Sequence, residues 1–334
     1  MKNELQPEFQ EFLLGFLMLK PITKEDHLQA LDVVIETCNL LFSEMNSLKV
    51  KSTLDRDAKL LFEMTLRRSS SLRTLHTNVY EGLKHPIDPM SMWGIVRSQF
   101  EAFCNFNNIY IKTNSYDERR LLHELWVVSG LQYRQKSNSE AMNEEQLQKK
   151  SREAESIEEL KELILTNPFL LDLGSHEIDK MNGFIKKKEF QVAFNNGKFN
   201  RVSWAQMWLN AGVNDKFDNL YSMMSNSTHP SNVSVFQFKD LHLEDHADFS
   251  ANFSIKFSTL ILCLFVRDFC TYFEPLKIKF LEVSNFNQSV INGYNRIARD
   301  ESFKLSDVTL FNDTVAKILD ERLKNLRGTT ESGH

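Results

Sequence analysis

Apolar residues return every three or four positions through most of this chain, the spacing that gathers them on one face of an α-helix. Over 53–84 the repeat is carried by Leu60, Leu61, Met64, Leu72 and Leu75, and comparable segments cover 26–48, 90–111 and 117–136. The last of these opens on acidic residues and closes on basic ones, as the helix dipole prefers. Further on, 203–213 begins with Ser203 as a candidate N-cap, and 215–229, 246–273, 284–299 and 306–327 complete the series. Seven prolines, at 7, 21, 86, 89, 168, 230 and 275, fall between these segments, where a missing N–H and a fixed φ do least harm. One short stretch breaks the pattern. Asn196-Gly197 is a hairpin-turn signal flanked by 189–194, which suits a short strand or a helix tail. The pattern predicts an all-α protein, a multi-helix bundle with at most one small β-hairpin.

Composition supports that reading. Only 11 glycines and 7 prolines in 334 residues leave few of the tight turns that a many-stranded sheet needs, while an apolar share of 42% can bury a sizeable core. The 26 phenylalanines are spread along the chain and read as core filling. A net charge of −5 argues against coating nucleic acid by bulk electrostatics. Two local basic groups, Arg67 and Arg68 with Arg73, and Lys186 to Lys188, read as solvated faces. The most charged region, 135–165, reads as a loop running into a surface helix braced by Glu–Lys pairs, or as a partner-binding arm. Four cysteines without ligand-like spacing point to a reducing, cytoplasmic setting. The first twenty residues lack the features of a secretory signal. The apolar run 259–266 is shorter than the ~20 residues of a membrane span, which predicts a buried helix and no membrane association. Asn226-Ser227-Thr228 matches a glycosylation acceptor that a cytoplasmic chain would not use.

Two polar rows interrupt this apolar pattern. In 90–111, Trp93, Ile95, Val96, Phe100, Phe103, Phe106 and Ile109 cover most of the helix circumference, and at 100° per residue Arg97, Glu101, Asn105 and Asn108 form one narrow stripe. Later, Tyr221, Ser225 and His229 follow at i, i+4 and i+8, spanning ~12 Å of one helix face. Histidine exchanges a proton near neutral pH, and a hydroxyl can orient it. The same histidine also suits a helix C-terminus, which Pro230 would then stop. No acid is placed to orient it and no nucleophile elbow is present. The two rows are expected to face each other, because a buried arginine needs a partner. His242 and His246 share a helix face but lack an evident third ligand, so a polar helix start is the preferred reading and no metal is expected.

Three motifs, RSQFEA (97–102), SWAQM (203–207) and YSMMSNSTHPS (221–231), together resemble a family of all-helical bacterial proteins without an assigned reaction. That family is marked by R-S-x-x-E-A and Y-x-x-x-S-x-x-x-H-P-S and is distantly similar to the HEPN superfamily of abortive-infection and toxin–antitoxin systems. The resemblance covers about 52–273. It implies a helical core there, an N-terminal helical extension over 1–51, and C-terminal helices over 274–334 packing on the core. It implies a defence-associated protein acting on RNA without metal or cofactor, with Arg97, Glu101, Tyr221, Ser225 and His229 as catalytic residues and Asn105, Asn108 and Ser231 as substrate contacts. Active HEPN ribonucleases carry an arginine four to six residues before the histidine. Here Met224, Met223 and Ser222 stand at those positions, so Arg97 would have to take that role from another helix. The alternative is a non-catalytic sensor or scaffold in which the same residues form a structural polar network. The partners implied are RNA or a protein of a defence system, and a second copy of the chain.

Overall fold

The computed structural model describes residues 24–48, 52–77, 88–136, 142–213, 220–228, 231–243 and 247–299. Among these residues the protein is all-α, with thirteen α-helices, one π-helical turn and a single two-stranded hairpin. In chain order the elements are α1 (Lys24–Ser47), α2 (Thr53–Thr77), α3 (Pro89–Phe106), the π turn (Asn107–Ile111), α4 (Tyr116–Arg134), α5 (Glu144–Leu165), α6 (Pro168–Asp172) and α7 (Ser175–Lys187). The hairpin β1 (Val192–Asn195) and β2 (Lys198–Arg201) follows. Then come α8 (Trp204–Asn210), α9 (Leu220–Thr228), α10 (Asn232–Leu243), α11 (Ala247–Tyr272), α12 (Glu274–Glu282) and α13 (Asn285–Arg299). The helix expected over 306–327 lies outside the described residues, as does the end of the one expected over 53–84. The chain divides into two compact units, neither continuous in sequence: 1–49, 61–103 and 213–334 form one, and 50–60 with 104–212 the other.

The first unit is organised around α11, which packs on α1, α12 and α13. Leu260, Ile261, Leu262, Cys263, Leu264, Phe265 and Val266 are all buried. By length and hydropathy α11 could cross a membrane, but 67% of its most apolar window is buried inside the protein, as in a core helix. Phe62 of α2 stacks on Phe269 at 4.2 Å and meets Phe265 edge-on at 5.4 Å. Two polar side chains entering this core make specific bonds. Arg299 grips Asp268 through two bonds of 2.8 and 2.9 Å, and Asn295 donates to the Cys263 carbonyl at 2.8 Å. Ser284 caps α13 by accepting the Asn287 N–H at 3.1 Å.

The second unit carries the hairpin. Asn196 and Gly197 adopt φ of 53° and 77°, the left-handed pair that a two-residue hairpin turn requires, and their sequence supplies it. Phe194, Phe199 and Phe169 cluster beneath the turn, and Glu177 of α7 accepts the Phe199 N–H at 2.8 Å. Helix α5 starts with a capping box between Asn143 and Gln146 and buries only Ile157 and Ile164, in keeping with a surface helix. His123 on α4 is buried and meets the Asp57 carboxylate at 3.0 Å.

Two outcomes are expected of this packing. Phe62→Ala removes a fully buried ring and its two aromatic contacts, and urea denaturation should show a loss of about 3–5 kcal/mol. Burial pushes the Asp57 carboxyl up, but the hydrogen bond and charge of His123, with those of Arg56, outweigh it and hold the group below the usual carboxylate range. A depressed folded pKa contributes stability above the unfolded value of about 3.9 that is lost as pH falls through the folded one. Asp57→Asn should therefore be less stable than the parent near pH 7, and the gap should close by about pH 3 in denaturation curves.

Candidate functional site

Asp88 starts α3, its carboxylate accepting the Met90 N–H at 3.0 Å with Pro89 at the first helical position. Trp93, Val96, Phe100 and Phe103 of this helix are buried. Arg97 emerges between them, its side chain 21% exposed, and Glu101 beside it is 30% exposed. The guanidinium is held on three nitrogens. Nε donates to Glu101 Oε1 at 2.9 Å, Nη1 to Thr228 Oγ1 at 2.8 Å, and Nη2 to the Tyr221 hydroxyl at 3.0 Å. The Thr228 hydroxyl in turn donates to the Ser225 carbonyl at 2.9 Å. The Tyr221 ring lies 5.6 Å from that of Phe100 and 5.2 Å from the centre of the guanidinium, so the contact is both polar and apolar.

The electrostatics follow from this pairing. Burial works against the Arg97 charge, but Glu101 and Tyr221 outweigh it and raise its pKa further above neutral. Burial also raises the Tyr221 phenol, with the Glu101 carboxylate acting in the same sense and Arg97 against it, so tyrosine stays protonated and able to donate. Arg68 of α2 donates to the Ser98 carbonyl at 3.1 Å and brings a second positive charge toward Glu101.

Of the residues singled out from sequence, Arg97, Glu101 and Tyr221 meet directly, and Ser225 joins through its backbone carbonyl. Ser231 caps a helix: it is exposed, and its Oγ accepts the Ser234 N–H at 3.2 Å at the start of α10. His229 lies outside the described residues, as do 244–246 and the side chain of His242. Asn105 and Asn108 belong to the second unit. At the end of α3 the helix changes type: the Lys112 N–H bonds to the Asn107 carbonyl five residues back, at 3.0 Å, and Asn108 in this π turn donates through Nδ2 to the Val192 carbonyl at 2.9 Å.

Sequence reading missed Thr228, although it lies seven residues after Tyr221, two turns along the same face. It also missed Gly94, one turn before Arg97. A Cβ placed there would sit 3.5 Å from the Thr228 methyl, an ordinary contact. Gly94→Ala should therefore be accommodated and, as an interior helical glycine replaced by alanine, should stabilise the protein by about 1 kcal/mol in thermal denaturation. Gly94→Leu should displace Thr228 and lower the melting temperature.

No protein-family model, curated protein or solved structure matches this chain, so its function has to be read from the geometry of the cluster.

Proposed function

We propose that Arg97, Glu101, Tyr221 and Thr228 form a structural clasp in a non-catalytic helical module, a sensor or scaffold of a bacterial defence system. The carrying observation is that three guanidinium nitrogens of Arg97 each donate to a protein acceptor while Glu101 balances the charge. An arginine engaged in this way fixes the packing of two helices, and recruiting it to a substrate would mean breaking those bonds. The defence setting rests on the motif resemblance alone. Four buried thiols without a disulfide fit a cytoplasmic protein.

A second reading has its own support. Thr228 directly precedes His229, and Arg97 keeps a fifth of its side chain exposed. Here His229 would act as acid and base on RNA, Arg97 would stabilise the anionic transition state, and a second copy of the chain could complete the cleft. Incubating the purified protein with RNA in EDTA, beside melting curves of Arg97→Ala and His229→Ala, separates the two. The clasp reading expects intact RNA, a loss on the order of 2 kcal/mol in Arg97→Ala, and little change in His229→Ala. Cleavage by the parent that both variants abolish, with their folds intact, would establish the enzyme and overturn the clasp as the site's function.

A further inference from the structure

The second unit, taken by itself, holds a cleft of about 210 Å³ between the π turn, the start of α4 and strand β1. That exceeds the ~150 Å³ of a cavity known to admit benzene. Its floor is polar and buried: Glu118 is 2% exposed and Asn108 6%. Glu118 Oε2 accepts the Asn114 N–H at 2.9 Å, and Asn108 uses an N–H on the Val192 carbonyl. The Asn108 amide oxygen receives no hydrogen bond among the described residues, although it lines the cleft. Lys112 is exposed and has no ion-pair partner among the described residues, and Asn195, also exposed, lines the same cleft. Leu122 and Phe194 supply an apolar wall.

One cation and one carboxylate leave the cleft without net charge, so it suits a ligand that also carries one charge of each sign. A nucleotide would set phosphate charge beside the buried Glu118 carboxylate, with Lys112 the one cation lining the cleft. Burial pushes the Glu118 carboxyl above its usual range, against the Asn114 N–H and the Arg119 charge, so a cationic partner would be favoured there. The π turn, which carries Asn108 and is closed by Lys112 as its C-cap, is a helix distortion frequent at functional sites.

We propose that this cleft binds a free α-amino acid with an apolar side chain. The ammonium group meets Glu118 and the Asn108 amide oxygen, the carboxylate meets Lys112 and the Asn195 amide, and the side chain lies on Leu122 and Phe194. This does not depend on the role of Arg97.

Titration calorimetry on the full chain tests it with L-leucine, leucinamide, which lacks the carboxylate, and 4-methylpentanoate, which lacks the amine. Leucine should bind, with each analogue about tenfold weaker. Lys112→Ala should abolish the preference over leucinamide, and Glu118→Gln the preference over 4-methylpentanoate. Glu118 also braces the start of α4, so Lys112→Ala, at an exposed side chain, keeps the test independent of any folding defect. No heat from leucine or phenylalanine at about 10 mM, ten times a millimolar Kd, would overturn the proposal. So would leucine binding unchanged in Lys112→Ala, or binding of adenosine monophosphate in place of the amino acid.

Discussion

An arginine cannot shed its proton at any pH a protein survives, so one set among buried aromatic residues must find acceptors or carry a cost of several kcal/mol. Arg97 meets this constraint with one carboxylate from its own helix and two hydroxyls from α9. The second helix answers it with hydroxyls two turns apart, those of Tyr221 and Thr228. Gly94 lies at the same junction, where an added Cβ would make an ordinary 3.5 Å contact with the Thr228 methyl. Phe100 against the Tyr221 ring adds apolar contact to a junction that would otherwise rest on hydrogen bonds alone.

This arrangement bears on function through occupancy. At least three of the five N–H groups of the guanidinium have protein partners, which fixes its orientation between the two helices. Partial exposure of Arg97 and Glu101 leaves the junction open to solvent on one side. The contrast with the cleft of the second unit is chemical. There, an exposed lysine and four asparagines line the cleft together with a buried carboxylate, and the side chain of Lys112 and the amide oxygen of Asn108 have no protein partner among the described residues.

Much of the fold was legible because it depends on local periodicity. Apolar residues at helical spacing, scarce glycine and Asn196-Gly197 each act over a few residues, and the helices and hairpin follow from them. In the polar row along 90–111 the Arg97–Glu101 pair was legible from its i, i+4 spacing, whereas the bond from Asn108 to Val192, 84 residues later, and the π turn are displayed by no local repeat. Ser231 was singled out by its motif, and its position just before α10 shows that it caps that helix. Thr228 was hidden by the i+4 step from Tyr221 to Ser225, although the i+7 step lies closer to the same face.

The clasp is most directly tested by a double-mutant cycle on Arg97→Met, Tyr221→Phe and the combined variant, followed by urea denaturation. If the guanidinium and phenol hold the two helices together, the pair should show a coupling energy of about 1 kcal/mol or more. Losses that add to within ~0.3 kcal/mol would mean the two side chains act independently and would contradict the account.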